Sequence, residues 1–147
     1  MISKGRNTLA LAVGRASPRR LEDAEQRALM SWARLVTVGD ETLEQKLIHV
    51  PNGGARSPIE AAIMVGLGVK KGVPDLLLPI RTPLYGAGWW ELKAGKNKLT
   101  DDQLAWHARL RADGHYVQTY WHWHEAAADI LRYLERGNMT VIVRAQP

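Results

Sequence analysis

Asp75, Glu91 and Lys93 are the side chains of this 147-residue chain whose types and spacing can do chemistry together. Val73 to Ile80 is a short apolar run opened by Pro74 and closed by Pro79, the composition of a buried strand, and it carries one carboxylate, Asp75, near its start. A loop with Pro83, Gly86 and Gly88 follows. Trp89 to Lys93 then reads as a second strand, whose two-residue period puts Trp89, Glu91 and Lys93 on one face and Trp90 and Leu92 on the other. A connection of this length suits a hairpin, which sets Asp75 beside Glu91. Carboxylates held that close repel unless a cation sits between them. Paired acidic oxygens suit a hard divalent ion, Mg²⁺ with Mn²⁺ as its substitute, which keeps several waters and takes a phosphate oxygen as a further ligand. Such an ion lowers the pKa of water and stabilises charge building on phosphorus, and Lys93 can serve the same water or the same charge.

Glu-x-Lys alone carries little information, because alternating charges are common on exposed strands. The ordered set carries more. Pro74 and Asp75, then Glu91, Leu92 and Lys93, match the P-D…(D/E)-x-K signature of a large nuclease superfamily. With GVPDLLLP, WWELKAGKNKLTDDQ and the upstream HVPNGGARS, the chain from about Leu21 to about Leu134 resembles the VRR-NUC domain, the virus-type replication and repair branch of that superfamily. The resemblance implies a restriction-endonuclease-like core and Mg²⁺-dependent hydrolysis of DNA phosphodiesters. It implies Asp75, Glu91 and the Leu92 carbonyl as metal ligands, Glu25 assisting through water or a second ion, Lys93 positioning the attacking water, and Gln103 supporting the site. Standalone domains of the family resemble Holliday-junction resolvases, which points to branched DNA, a symmetric homodimer and the cytoplasm of a bacterial or phage-infected cell. A flap or nicking nuclease is the alternative within the class. From another class, the fold and charge could serve a non-catalytic DNA-binding module, against which the intact Asp75, Glu91 and Lys93 argue.

The elements that must position these residues are set by periodicity and caps. Residues 1 to 20 carry Lys4, Arg6, Arg15, Arg19 and Arg20 without an acid, and the apolar run Leu9 to Val13 is too short for a secretory core. A transit peptide shares this composition, but the expectation is a mobile basic arm attracted to phosphates, with Ser17 and Pro18 at the boundary. Leu21, Ala24, Ala28, Leu29, Trp32, Leu35 and Val36 recur at helical spacing, predicting an amphipathic helix ending near Gly39. Glu25 falls inside that stripe, Glu22 at its edge and Gln26 beyond it. An inward carboxylate is costly unless it is paired or binds a metal, so Glu25 is either a site residue, as the resemblance has it, or half of a salt bridge. Asp40 to Gln45 reads as polar linker. Leu47 to Val50 reads as a strand entering Pro51, Asn52, Gly53 and Gly54, a turn signal. Exposed backbone N–H groups there, with Asn52 and Arg56, can hold a phosphate, and the resemblance sets this loop beside the active site.

Ser57 with Glu60 forms a capping box and Pro58 suits the first helical position, predicting a short helix to about Gly66 with an apolar core face. The next turn brings Lys70 and Lys71 to the Pro74–Asp75 strand. Beyond Lys93 come Lys96 and Lys98, further candidates for DNA phosphates. Thr100 with Gln103 is another capping box, opening a helix to about Asp113 with Gln103, Trp106, His107 and Leu110 on one face. Gln103 can act as cap and site residue at once. Tyr116 to Trp121 reads as a strand running on into His122, Trp123 and His124. His-x-His spacing permits a metal site, but no third ligand lies nearby, so these rings read as packing at a strand end. Glu125 to Leu134 reads as a closing helix, and Met139 to Val143, within the 137 to 147 tail, as an edge strand. The expected architecture is an α/β domain, a central mixed sheet covered by helices. Twenty Lys and Arg against fifteen Asp and Glu give a net charge of +5, which suits an anionic partner. The absence of cysteine excludes a disulfide framework and a thiolate metal site, and no apolar run approaches a membrane span.

Overall fold

The computed structural model describes residues 17–52 and 57–145. In chain order the elements are α1 (Pro18–Ala33), β1 (Val36–Val38), β2 (Glu41–Thr42), α2 (Leu43–Lys46), β3 (Ile48–His49), α3 (Pro58–Gly66), β4 (Leu76–Leu78), β5 (Gly88–Leu92), α4 (Asp101–Ala112), β6 (Tyr116–Tyr120), α5 (Trp123–Arg136) and β7 (Val141–Val143). They build a mixed α/β domain with two sheets. The four-stranded sheet has the order β3-β4-β5-β6, and a second, three-stranded sheet has the order β2-β1-β7. In the larger sheet β4 runs antiparallel to β3 and β5, while β5 and β6 are parallel and joined through α4.

One face of the larger sheet is the main core. Leu76, Leu78, Trp90, Leu92 and Tyr116 pack there against Ile130, Tyr133 and Leu134 of α5 and Leu29 of α1, nearly all fully buried. Gly88 is needed for this packing. A Cβ at that position would stand 2.2 Å from the Trp90 indole, which lies flat over the strand. The opposite face carries Glu91 and Lys93 toward α4, whose capping box at Thr100 and Gln103 forms as the sequence predicts.

Several expectations are corrected. The first helix ends at Ala33, not near Gly39: Val36, Thr37 and Val38 are a β-branched run and pair as β1 with β2 and β7. Asp40 to Gln45 is not linker, because Thr42 and Gln45 form a capping box that opens α2 and Leu43 is fully buried. The predicted edge strand near the C-terminus forms, but as the partner of β1 in the second sheet. The apolar face of α3 is not core. None of its residues is buried, and Ile59, Ile63 and Val65 are more than half exposed. Of the basic arm expected at residues 1 to 20, the last part is not arm: Ser17 caps α1 and Pro18, Arg19 and Arg20 form its first turn, while residues 1–16, and Gly53, Gly54 and Arg56 of the turn, lie outside the described residues. No helix among the described residues is long and apolar enough to cross a membrane.

Candidate active site

The β4–β5 register pairs Leu76 with Trp90 and Leu77 with Trp89. The next pair outward is Asp75 and Glu91, so the predicted juxtaposition of carboxylates forms at the end of the hairpin. Asp75 Oδ2 accepts the Leu92 N–H at 3.0 Å, which ties its carboxylate to the edge of β5. Glu91 is 1% exposed. Its Oε1 accepts from Gln103 Nε2 at 2.6 Å and from Lys93 Nζ at 3.0 Å, whereas its Oε2 is buried without a partner. Burial, then the Asp75 charge, push the Glu91 carboxyl up to about 7, although Lys93 acts the other way. Burial also raises Asp75, against the Leu92 N–H and the charges of Lys93 and His49.

A cleft of about 670 Å³ opens beside Asp75, while the buried Glu91 lies behind its wall. Its walls include Asp75, Leu92, His49 and Asn52, and on the α1 side Arg19, Glu22, Gln26 and Arg27. His49 Nδ1 lies 3.1 Å from the Asp75 carbonyl. Asn52, as expected of that loop, lines the cleft; its Nδ2 donates to the Val73 carbonyl and its Oδ1 is buried without a partner. Gln26 Nε2 is likewise buried and unpaired.

The structure places Glu25 elsewhere. Its Oε2 accepts the Trp123 N–H at 2.6 Å and its Oε1 lies 3.8 Å from His122 Nδ1, so it caps the N-terminus of α5, whose own N-cap residue, His122, makes no side-chain cap. The α1 carboxylate beside the site is Glu22. It lines the cleft, accepts from Asn97 Nδ2 at 3.0 Å, and its charge raises both Asp75 and Glu91. The difference lies in the rotation of α1. Leu21 and Ala24, at the start of the apolar stripe, are exposed, and only Leu29 and Ala33 of α1 are buried; this rotation leaves Glu22 and Gln26 half-buried on the cleft side and Glu25 half-buried against α5. The sequence does hold a signal for it: Arg19, Glu22, Asp23, Gln26 and Arg27 recur at helical spacing as a polar face of their own. His49 and Asn97 lie inside the HVPNGGARS and WWELKAGKNKLTDDQ stretches, but neither residue has a periodicity or cap of its own that would assign it to the site.

The proposed phosphate-binding lysines ring the site from outside it. Lys70, Lys71, Lys96 and Lys98 are exposed, and none lines the cleft. Lys71 pairs with Asp102 on α4 at 3.1 Å. Gly72 allows that approach: at φ +88° its missing Cβ would stand 2.6 Å from the Asp102 backbone.

Asp75, Glu91, Lys93 and Gln103 thus meet at one point, in the order and on the elements that the motif requires. A VRR_NUC domain protein of known structure superposes on this chain with a TM-score of 0.69 and 26% sequence identity, over 79% of this chain and 89% of that one. The chain has the VRR-NUC fold. No protein-family model matches the sequence, and no curated protein matches it. The VRR-NUC fold is a restriction-endonuclease-like arrangement, consistent with the mixed sheet and flanking helices described above.

Among the described residues, no three side chains of the His, Cys, Asp or Glu type converge on one point. The donor set nevertheless fits a divalent cation of the Mg²⁺ kind, which is held by one or two carboxylates and keeps its waters. The bare, buried Oε2 of Glu91 next to a second desolvated carboxylate is the arrangement that a cation would relieve.

Proposed function

We propose that this VRR-NUC domain is a divalent-metal-dependent DNA endonuclease that hydrolyses phosphodiester bonds, with branched DNA as its preferred substrate. The observation that carries the reading is the unpartnered Glu91 Oε2, on a side chain 1% exposed and close enough to Asp75 for that charge to raise the Glu91 carboxyl. Asp75 and Glu91, with the Leu92 carbonyl, would hold Mg²⁺ or Mn²⁺. Such a cation, when bound, lowers the pKa of water and offsets charge building on the phosphorus centre. Lys93, only 8% exposed and 3.0 Å from Glu91, presents a fixed ammonium to the scissile phosphate or to the attacking water. Gln103 fixes the Glu91 carboxylate by its 2.6 Å hydrogen bond. Glu22, rather than Glu25, would receive hydrogen bonds from water in the cleft.

Symmetric cutting of a four-way junction needs two sites related by a two-fold axis. The α3 face supports a homodimer: Ile59, Ile63 and Leu67, four residues apart along one ridge, are 74%, 56% and 76% exposed. Incubating supercoiled plasmid, and then labelled duplex, flap, splayed and four-way junctions, with Mn²⁺ or with EDTA tests the reading. Metal-dependent nicking and paired cuts on the junction are expected. Cleavage of the flap alone moves the assignment to a flap nuclease, and metal-independent binding without cleavage moves it to a non-catalytic DNA-binding module. Light scattering with Ile63→Glu tests the dimer, whose mass should halve.

A further inference from the structure

β6 ends beside the catalytic strand, and the residues just beyond it form an exposed aromatic corner that the chemistry above does not use. Leu92 pairs with Tyr120, and the Lys93 N–H donates to the Tyr120 carbonyl at 2.9 Å, so Trp121 is the first residue past the strand end that flanks Lys93. Neighbouring strands lie about 4.8 Å apart, which keeps Trp121 at the rim of the site. The Trp121 side chain is 36% exposed. Its Nε1–H donates to the Asn97 carbonyl at 2.8 Å, and the Asn97 side chain in turn holds Glu22 and lines the cleft. The indole is therefore anchored by its polar edge, and no ring or cation among the described residues stacks on its face.

The corner is tied to α1 and to itself. Glu25 accepts the Trp123 N–H at 2.6 Å and lies 3.8 Å from His122, which ties the segment after Trp121 to α1. His122 and His124 stack with ring centroids 5.6 Å apart. Lys96 and Lys98, both exposed, flank Asn97 in the chain and bring positive charge to the same rim. An anchored, partly exposed indole on which no ring or cation stacks, next to cations and at the edge of a phosphodiester site, has the features of a stacking platform for a nucleobase.

We propose that Trp121 stacks on an unpaired DNA base next to the scissile phosphate and so gives the enzyme a preference for single-stranded character at the cut. A paired base cannot offer its face, because its neighbours in the duplex cover it. The inference rests on the nuclease reading, since it uses the cleft beside Asp75 to define which base is adjacent. Glu25 then acquires a role as the residue that positions the platform, by capping α5.

The test is a binding measurement without turnover: fluorescence anisotropy in Ca²⁺ with a single strand, a matched duplex and a single strand carrying an abasic position at the platform. Trp121→Ala should lower the ratio of single-strand to duplex affinity roughly tenfold, and Trp121→Phe should restore most of it. A 2-aminopurine placed at the unpaired position should be quenched by the wild type and not by Trp121→Ala. The abasic strand should bind both proteins alike. An unchanged ratio in a folded Trp121→Ala, or no rescue by Phe, overturns the platform while leaving the nuclease reading standing. Failure of the wild type to bind any of the three DNAs overturns both.

Discussion

Two carboxylates are buried on opposite faces of the larger sheet, Asp129 at 3% exposure and Glu91 at 1%. Around Asp129 every oxygen is answered. Trp90 Nε1 donates to Oδ2 at 2.9 Å, the Tyr116 hydroxyl reaches both oxygens at 2.8 and 2.9 Å, and Arg132 reaches Oδ1 at 3.3 Å. Burial, with Asp129 beside it, pushes the Tyr116 phenol well above its ordinary range, so it stays a donor. Around Glu91 both donors crowd one oxygen and the other has none. Burial of a charge is therefore not by itself a sign of chemistry. A satisfied buried carboxylate stabilises the fold around it, and an unsatisfied one beside a second carboxylate marks a place for a cation.

The contrast can be broken most sharply by activity. Asp75→Ala, Glu91→Ala and Lys93→Ala should each cut the rate of plasmid nicking by roughly a thousandfold while DNA binding survives. EDTA-resistant turnover in Asp75→Ala would remove the metal mechanism. On the other face, Asp129→Ala should leave the Trp90 and Tyr116 donors buried and unpaired, lowering stability by about 3 kcal/mol in urea melts with or without Mn²⁺. Glu91→Gln should act through the metal instead: it removes one of two neighbouring carboxylates but leaves the buried Lys93 ammonium without its partner, so metal-free stability should change little, while the rise in Tm that Mn²⁺ gives the wild type should be abolished. Equal destabilisation by both substitutions would erase the distinction between the faces.

The two glutamates of α1 repeat the comparison on a smaller scale. Glu22→Gln should slow cleavage roughly tenfold with little change in Tm, as loss of a supporting group near a metal does. Glu25→Gln should lower stability by about 1 kcal/mol, with and without metal, because it weakens the cap on α5. If Glu25→Gln lost activity that high Mn²⁺ restores, its place at the corner would be wrong.

A last difference is a pH dependence on the catalytic side. His107, on α4, is 1% exposed, and burial, then the charges of Arg111 and Lys93, hold it down to about 4 from an ordinary 6.5. Between those values the unfolded chain binds the proton and the folded one does not. The stability that neutral His107 contributes is therefore whole above about pH 6.5 and is lost as pH falls toward 4. His107→Leu should remove the loss of stability on acidification over that window and leave the opposite slope of Glu91, whose raised carboxyl favours the folded state as pH falls below about 7; an unchanged profile would show that His107 is not held neutral.

Much of the site was legible because it is local. Strand period and a hairpin-length loop put Asp75 beside Glu91 and gave Glu91 and Lys93 one face. The capping box at Thr100 put Gln103 on the first turn of its helix, and the helix then carried it to Glu91. Each of these depends on dihedral preferences within a few residues, which the chain carries with it. The rotation of α1, the pairing of β1 with β7 and the exposure of α3 depend on which surfaces meet. Leu21 and Ala24 extend an apolar stripe on paper, yet Leu29 and Ala33 seat the helix, and that turns Glu22 to the cleft and Glu25 to α5. Helical periodicity ranks faces by composition, whereas tertiary packing chooses among them by fit and by which buried polar groups find partners. A difference of roughly 60° in helix rotation, little more than half of the 100° between successive residues, is enough to exchange the two glutamates.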